Sequence, residues 1–438
     1  MIDYSSYLNE QARNIKPSGI RRFFDIANEM DDVISLSIGE PDFLTPWHIR
    51  EAGITTLEKG RTRYTPNRGL MALREEICAF FKRKYGLSYH PESEVLVTVG
   101  GSEAIDMALR CLVGPGEEVI IPEPCFVCYD PLTRMAGGVP VSISTKVGNE
   151  FRLTAEELES AITEKTKVLI FPYPNNPTGA VMRRADLEAI AQVVKKHDLI
   201  VLSDEIYSEL TYGGTPHVSI AAIDGMQERT VVINGFSKTY SMTGWRMGYA
   251  VGPKELIAPM TKLHQYAIMS APTTSQYAAI EALRNGDDDI EEMRDEYDMR
   301  RRLVVDGLNR LGLTCFEPEG AFYVFPSIRS TGMTSDEFCE RLIYDKRVAV
   351  VPGSAFGACG EGHVRISYAY SLKHLAEAVD RMAAFPGGLE GGAPPSWSGR
   401  RITMWRRWRA RWTASSPPLA FMKSCGKPGR WSSSRTSS

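Results

Sequence analysis

Residues 230–248, TVVINGFSKTYSMTGWRMG, join a buried strand to a candidate reactive lysine. The β-branched run 230–234 is typical of a strand that is covered on both faces. Lys238 follows this strand closely, among hydroxyl groups and glycines, and Arg246 lies further along the same stretch. A lysine attacks a carbonyl group only when its amine is neutral, and a desolvated position favours that form. The stretch therefore predicts a catalytic lysine, although a solvated surface lysine is the commoner case for such a loop.

Residues 94–268 repeat the alternation of short apolar runs with amphipathic helical patterns. A helix is expected over 185–197, and Thr154 and Glu157 have the spacing of a capping box that opens another helix. Alternation of this kind predicts an α/β domain with a mainly parallel sheet, whose ligands bind at the carboxyl ends of the strands. The predicted strands are 95–99, 118–121, 139–144, 168–171, 199–203, 231–234 and 248–251.

The segments on either side of this core have a different character. Residues 1–47 are predicted as an N-terminal arm that also forms part of a small domain, with a helix over 20–30 and a short strand near 34–38. A helix is expected from about residue 70, and residues 48–290 are assigned to a large domain. Beyond residue 287 the predicted elements are a charged helix over 287–311, a helix over 335–345, strands over 348–351 and 363–369, and a helix over 372–385. Residues 291–385 are therefore predicted to form a smaller α+β domain.

Residues 386–438 differ sharply in composition from the rest of the chain. They hold ten of the 51 Lys and Arg residues, one acid, and five of the seven tryptophans. Residues 400–412 are compatible with a basic segment for a membrane surface or nucleic acid. The richness in Ser, Pro, Gly and Arg favours instead a disordered tail, or a stretch translated in a shifted frame, outside the catalytic fold.

The bulk composition is that of an ordinary globular protein, with 43% hydrophobic and 24% charged residues and a net charge of −3. No apolar run reaches the length of a membrane span, and the polar amino terminus lacks a signal-peptide core, so we expect a cytoplasmic protein without a membrane partner. The part before residue 386 is acidic, which argues against nucleic acid as a partner. Only Cys125 and Cys128 of the eight cysteines have a C-x-x-C spacing, and no metal site is expected.

Two motifs at predicted strand ends favour contacts with a ligand's oxygen atoms. Gly101 and Ser102 follow a strand and open a helix, where free N–H groups favour a phosphate, although a plain turn and cap would have the same sequence. Asn176 lies in the run 175–179, NNPTG, which follows another strand. Its amide is a candidate donor to a ligand oxygen. The alternative is that the run forms a tight turn with no role in binding.

Two charged residues in apolar strands point to charged ligands. Asp204 ends the strand 199–203, where a buried carboxylate needs a cation or strong donors, such as a protonated ring nitrogen of a cofactor. Arg365 lies inside the apolar strand 363–369, and its planar fork suits a carboxylate in two-point contact. An exposed strand end and a structural salt bridge are the respective alternatives.

In this order the motifs resemble those of the class I and II aminotransferases, the fold-type-I family that uses pyridoxal 5′-phosphate (PLP) and includes aspartate and aromatic aminotransferases. The resemblance covers about residues 15–385. It implies an α/β fold with a mainly parallel seven-stranded sheet in a large domain and a smaller α+β domain. It also implies PLP as cofactor and transamination between an L-amino acid (aromatic, aspartate or a broad range) and a 2-oxo acid, expected to be 2-oxoglutarate.

The resemblance assigns roles around the cofactor ring. Lys238 would form the internal aldimine and later carry the proton between Cα and the cofactor. Asp204 would keep the ring nitrogen protonated, so that the ring acts as an electron sink. Tyr207 and Asn176 would donate to the phenolate oxygen of the ring, and Phe126 would stack on its face.

The resemblance also places the two anionic groups and a partner subunit. Arg365, with the backbone of Gly39 and the amide of Asn176, would bind the α-carboxylate of the substrate. Tyr64 matches a tyrosine that reaches the partner's phosphate across a dimer, which implies a homodimer with shared active sites. The residues implied for the phosphate are Gly101, Ser102, Glu103 through its backbone, Ser237 and Arg246.

Some relatives with these motifs carry out other reactions. A C–S β-lyase, or an enzyme that closes an aminocyclopropane ring, would share the same lysine and ring contacts. A transcription regulator with an aminotransferase-like domain would need a DNA-binding module, and only about 30 residues precede the first matched motif. Some aspartate-using relatives have a lysine at the position of Ser102, so its absence favours an aromatic or broad substrate range.

Overall fold

The structure, a computed structural model, describes residues 2, 4–15, 19–214 and 216–385. The segment 386–438, for which the sequence predicts a tail outside the catalytic fold, lies outside the described residues. Within the described part of the chain, every helix is too short or too polar to cross a bilayer.

The described residues form fourteen α-helices and twelve β-strands. The helices are α1 Glu10–Asn14, α2 Gly19–Glu29, α3 Trp47–Glu58, α4 Met71–Tyr85, α5 Gly101–Leu112, α6 Tyr129–Met135, α7 Ala155–Ala161, α8 Arg184–Lys196, α9 Phe236–Thr239, α10 Lys254–Ala267, α11 Thr273–Asn285, α12 Asp287–Arg310, α13 Ser335–Lys346 and α14 Leu372–Ala383. The strands are β1 Ile34–Ser35, β2 Val95–Thr98, β3 Glu118–Glu123, β4 Val139–Ser144, β5 Thr166–Phe171, β6 Ile200–Asp204, β7 Thr230–Gly235, β8 Gly248–Val251, β9 Tyr323–Val324, β10 Val348–Ala349, β11 Val351–Pro352 and β12 Val364–Ser367. Short 3₁₀ helices occur at Tyr4–Tyr7, Val147–Asn149, Ile220–Ala222, Gln227–Arg229, Thr243–Trp245, Arg329–Thr331, Gly353–Phe356 and Ala358–Gly360.

The largest sheet has seven strands in the order β2-β8-β7-β6-β5-β3-β4. β8 runs antiparallel to both of its neighbours, β2 and β7, and the other neighbouring strands pair in parallel. All seven strands expected from the apolar runs are present, within one or two residues of the predicted bounds. The prediction of an α/β fold with a mainly parallel seven-stranded sheet is confirmed.

Both faces of this sheet are buried, as the continuous apolar strands require. In β5, Val168 and Ile170 pack on one face with residues of α5 and α10, while Leu169 and Phe171 pack on the other face with residues of α8. Successive side chains of a strand point to opposite faces, so a strand covered on both sides needs apolar residues at every position. Because the strands are buried on both faces, their positions are fixed, and so are the polar motifs at their ends.

Helix α7 begins at the predicted capping box. Glu157 N donates to Thr154 Oγ1 at 3.2 Å, and Thr154 N donates to Glu157 Oε2 at 3.1 Å. Two of the N–H groups that a helix start leaves unpaired are thereby satisfied. The expected helix over 185–197 is also present, as α8.

Strands that do not belong to the large sheet form two smaller sheets. β11, β12 and β9 pair antiparallel in that order, and β1 pairs in parallel with β10. The predicted strand 348–351 is therefore divided, because Ala349 pairs with Ser35 while Val351 pairs with Arg365. The predicted strand near 34–38 is only two residues long. The boundaries proposed for the arm, the large domain and the small domain stay predictions.

Candidate active site

A cavity of about 290 Å³ lies where the carboxyl ends of the large sheet meet the segment around Gly39 and the sheet that contains β9 and β12. All the predicted site residues line it except Glu103 and Tyr64. The lining residues are Ile20, Gly39, Gly101, Ser102, Ile105, Phe126, Tyr129, Pro172, Pro174, Asn176, Asp204, Ile206, Tyr207, Ser237, Lys238, Thr243, Arg246, Tyr323 and Arg365.

Lys238 enters the cavity from α9, a single helical turn that follows β7 directly. Its Nζ donates to the carbonyl oxygen of Gly39 at 2.5 Å. Burial lowers the pKa of Lys238 to about 8, against the opposing charge of Glu40, and the charges of Arg365 and Arg246 lower it further. The lowered pKa makes the neutral amine far more accessible near neutral pH than it is for a solvated lysine, and the neutral form is the one that acts as nucleophile or proton acceptor.

Asp204 is the last residue of β6, and it is buried and lines the cavity. Its Oδ2 accepts a hydrogen bond from the Tyr129 hydroxyl at 2.8 Å, and its Oδ1 accepts one from Ile206 N at 3.2 Å. Burial raises the pKa of Asp204 to about 6, even though these two hydrogen bonds lower it. A cation placed beside this carboxylate would stabilise its charged form, which matches a protonated ring nitrogen.

A candidate anion site lies at the amino terminus of α5. Gly100, with φ +87°, precedes the helix, and a Cβ atom there would lie 2.6 Å from Nη2 of Arg246. A Cβ atom on Gly248 would lie 2.7 Å from Gly101 N, so β8 and the helix start approach each other at two glycines. Arg246 donates to Thr243 O at 2.9 Å and has no carboxylate within salt-bridge distance among the described residues. Free helix N–H groups and an arginine without an acidic partner suit a phosphate.

Glu103 lies in the first turn of α5, and its side chain has structural partners; the backbone role predicted for it stays a prediction. One carboxylate oxygen accepts from Val99 N, and the other contacts Nδ1 of the buried His264 at 2.6 Å. The side chain thus ties the start of α5 to the residue that follows β2 and to α10, and it does not line the cavity.

Arg365 is a buried cation whose described neighbours include no carboxylate within salt-bridge distance. Only 2% of the residue is exposed. Its guanidinium lies between the rings of Tyr323 and Phe356, at 4.6 and 4.9 Å. Nη1 donates to Asn176 Oδ1 at 3.0 Å and Nη2 to Ser37 O at 2.6 Å, while Nε has no partner among the described residues. Burial lowers the pKa of Arg365. A buried guanidinium with unused donors suits a carboxylate.

Asn176 contacts Arg365 directly, and Tyr207 contacts Tyr323, whose ring packs on Arg365. The hydroxyl of Tyr207 is 2.9 Å from the hydroxyl of Tyr323. Because Oδ1 of Asn176 accepts from Arg365, the Nδ2 atom of this amide is left as a donor to other groups. Phe126 is partly buried and meets Tyr129 edge to face, with ring centroids 6.3 Å apart.

Tyr64 lies away from the cavity, with 83% of its surface exposed. Its segment is joined to residues 269–273 by hydrogen bonds from Asn67 Nδ2 to Met269 O and from Thr273 Oγ1 to Arg63 O, both 2.8 Å long. The role predicted for Tyr64 concerns a partner subunit and stays a prediction.

Sequence reasoning missed two tyrosines of the cavity, Tyr129 and Tyr323. Tyr129 begins α6, and its hydroxyl donates to Asp204 Oδ2. Tyr323 belongs to the two-residue strand β9, next to β12. A buried carboxylate at Asp204 needs a hydrogen-bond donor. The sequence therefore indicates that a donor is present, but it does not indicate which residue supplies it.

The cavity therefore combines three cations, Lys238, Arg246 and Arg365, with one carboxylate, Asp204. An excess of positive charge suits a ligand set with two anionic groups. Asp204, the only acid among the described residues that line the cavity, suits one cationic nitrogen of such a ligand set.

Comparison with known proteins agrees with this geometry. Residues 31–382 match the family model "Aminotransferase class I and II". An aspartate aminotransferase of Pyrococcus abyssi is 51% identical over 84% of this chain and 95% of its own length. An aromatic-amino-acid aminotransferase of Thermococcus litoralis is 48% identical over 86% of this chain and 97% of its own length. The crystal structure of an aromatic aminotransferase from Pyrococcus horikoshii superposes with a TM-score of 0.79 at 47% identity, over 88% of this chain and 99% of that one. The chain is an enzyme that catalyses transamination, and it belongs to the class I and II aminotransferase family.

Proposed function

We propose that this enzyme binds PLP through Lys238 and transfers the amino group of an L-amino acid to a 2-oxo acid, with 2-oxoglutarate as acceptor. The observation that carries the proposal is that Lys238, Asp204 and Arg365 line one cavity. A desolvated amine, a buried carboxylate and a buried guanidinium with unused donors are three perturbed groups in one cleft, a combination that is typical of active sites.

The residues of the cavity fit the functional groups of PLP. Arg246, Ser237 and the start of α5 suit its phosphate, Asp204 suits its ring nitrogen, and Lys238 suits its aldehyde. The unpartnered Nε of Arg365 leaves a second anion site, which a substrate carboxylate would fill. When bound, PLP supplies an electron sink for the electrons of the substrate Cα–H bond.

The side chains of this chain would divide the remaining work. Lys238 Nζ accepts the proton from the substrate Cα, because its lowered pKa makes the neutral amine available. Asp204 holds a proton at the ring nitrogen. Tyr207 and Asn176 donate to the ring oxygen. Arg365 orients the substrate by its α-carboxylate.

The choice of amino donor follows from what remains of the cavity. Lys238, Arg246 and Arg365 each have a role already, and no further lysine or arginine of the described residues lines the cavity. Apolar and aromatic groups occupy much of the rest, including Ile20 and Ile105. We therefore propose an aromatic or broad donor range, with aspartate as a further donor. Relatives named for aspartate and for aromatic amino acids support this range.

The assignment of Lys238 is tested by reducing the PLP-loaded protein with borohydride and mapping the peptides. The protein should be yellow, and the cofactor should become fixed to the peptide that contains Lys238. A Lys238→Ala variant should stay unlabelled. Labelling at another lysine would contradict the assignment of Lys238.

The reaction is tested with a panel of amino donors and 2-oxoglutarate. Formation of glutamate should depend on both substrates, fastest with aromatic donors or aspartate. Release of ammonia and pyruvate from cysteine conjugates, without any need for a 2-oxo acid, would point instead to elimination.

We also propose a homodimer with shared active sites. A surface opening of about 570 Å³, lined among others by Leu44 and Trp245, shares Arg246 and Thr243 with the lining of the active-site cavity. We propose that a tyrosine of a second subunit approaches the phosphate site at this shared edge. The exposed apolar side chains that support such an interface are Leu44, Trp47, Ile54, Leu57, Tyr64, Tyr266, Ile268 and Met269.

Subunit mixing tests the shared site. A Tyr64→Phe subunit combined with a Lys238→Ala subunit gives hybrids with one unaltered site and one site that has both changes. Hybrid activity should exceed the mean of the two parents. No gain after verified subunit exchange would count against a shared site. The cytoplasmic location stays a prediction from the sequence.

A further inference from the structure

Tyr323 is a second buried tyrosine in the cavity, and its hydroxyl lies beside that of Tyr207. The two oxygen atoms are 2.9 Å apart, and Tyr323 is fully buried. β9 pairs with β12 at Ser367 and Ile366, so the strand that carries Arg365 also fixes the position of Tyr323. A Cβ atom on Gly39 would lie 2.4 Å from the Tyr323 hydroxyl. Tyr323 is therefore held between Tyr207, Gly39 and Arg365.

The hydroxyl pair has two possible directions, and they have different consequences. A phenol has one proton to donate and two lone pairs that accept. If Tyr207 donates to Tyr323, its only proton is no longer available for a ligand. If Tyr323 donates, the proton of Tyr207 stays free for a ligand oxygen in the cavity.

The second direction is the one that the proposed function needs. There, Tyr207 donates to the ring oxygen of PLP, so it must accept from Tyr323. A hydroxyl that accepts one hydrogen bond becomes a better donor in the next, because hydrogen bonds in a chain polarise one another.

We propose that Tyr323 is a positioning residue that donates to Tyr207 and thereby directs the proton of Tyr207 to the ring oxygen of bound PLP. This inference rests on the proposed function. Tyr323 also stacks on Arg365 at 4.6 Å, so one side chain contacts both the group for the cofactor oxygen and the group for the substrate carboxylate.

The effect can be measured without turnover, from the colour of bound PLP as the pH changes. When PLP is joined to Lys238 Nζ, the proton on that nitrogen and the hydroxyl of Tyr207 compete for the same ring oxygen. A weaker hydrogen bond from Tyr207 favours the proton on Nζ and raises the pH midpoint of the absorbance change.

The decisive variant is Tyr323→Phe, which keeps the ring over Arg365 and removes only the hydroxyl. The midpoint should rise by about half a pH unit, the size expected for one weakened hydrogen bond. The KM for both substrates should change less than twofold, because the ring that supports Arg365 remains.

A double-variant comparison shows whether the effect passes through Tyr207. Tyr207→Phe should raise the midpoint more than Tyr323→Phe does, and adding Tyr323→Phe to Tyr207→Phe should change nothing further. An equal shift in both backgrounds, or no shift in the single Tyr323→Phe variant, would overturn the inference.

Tyr368→Phe is the matched control. It removes another fully buried hydroxyl, which donates to Ala321 O at 3.0 Å outside the cavity lining. Its midpoint should equal that of the unaltered enzyme, and its melting temperature shows the cost of losing such a hydroxyl. If the unaltered enzyme bound no PLP at Lys238, the proposed function would fail before this inference was reached.

Discussion

Arg365 and Arg246 line the same cavity, but their surroundings differ. Arg365 is buried, is held by two hydrogen bonds, and lies between two aromatic rings. Arg246 is exposed, has left-handed backbone dihedrals with φ +52°, and among the described residues donates to one carbonyl oxygen, that of Thr243. The direction of Arg365 is thus fixed before any ligand arrives, whereas Arg246 is solvated and faces the opening at the surface. Substitutions at the buried end of the cavity should therefore have larger effects than those at the open end.

Asp204→Asn should have the largest effect, because Asp204 lies at the buried end and the neutral amide cannot hold a proton at the ring nitrogen. We expect kcat to fall by about a thousandfold or more, with PLP still bound. Tyr129→Phe, which removes one donor to this carboxylate, should lower kcat far less. Steady-state kinetics with a measurement of bound PLP would decide, and a near-normal kcat in Asp204→Asn would contradict the role given to this residue.

Arg365→Lys should come next. Lysine keeps the charge but cannot reproduce the planar fork, so KM should rise roughly tenfold to a hundredfold for amino acid and 2-oxo acid alike. The affinity for PLP should change little, since Arg365 is assigned to the substrate. Unchanged KM values for both substrates would mean that the carboxylate binds elsewhere.

The pH dependence of PLP binding tests the lowered pKa of Lys238. Because burial lowers the pKa of Lys238 to about 8, the neutral amine dominates above that pH. The rate at which the PLP-free protein reacts with PLP should rise about tenfold per pH unit below 8 and level off above it. Stopped-flow absorbance gives the midpoint. A midpoint near 10 would show that Lys238 is not desolvated.

Arg246→Lys should have the smallest effect, because the side chain is exposed and lysine also binds phosphate. We expect the Kd for PLP to rise about fivefold, equivalent to roughly 1 kcal/mol, with kcat nearly unchanged. Equilibrium titration measures this. A loss as large as that of Arg365→Lys would remove the difference between the two ends of the cavity.

The parts of the molecule that could be predicted from the sequence are those with a distinctive local pattern. Strands covered on both faces form continuous apolar runs, so all seven strands of the large sheet could be located, together with Asp204 and Lys238 at their ends. Arg365 was recognisable because a charge inside an apolar strand needs a partner.

Other features depend on contacts that no local pattern records. Nothing near Tyr129 indicates that it meets Asp204, and a strand of two residues, such as β9, is too short to have a period. The run 348–351 has one continuous apolar pattern, yet its two halves join different sheets, because pairing partners are chosen by tertiary packing.

The hydrogen bond from Arg365 to Ser37 joins positions 328 residues apart. During synthesis the site at Arg365 therefore forms only after nearly all of the described chain has been made, although Ser37 is made early. The complete site is a property of the finished fold, so ligands that need it stabilise the native chain by mass action. PLP and a substrate analogue added during refolding should accordingly protect the two ends of the described chain from proteolysis together.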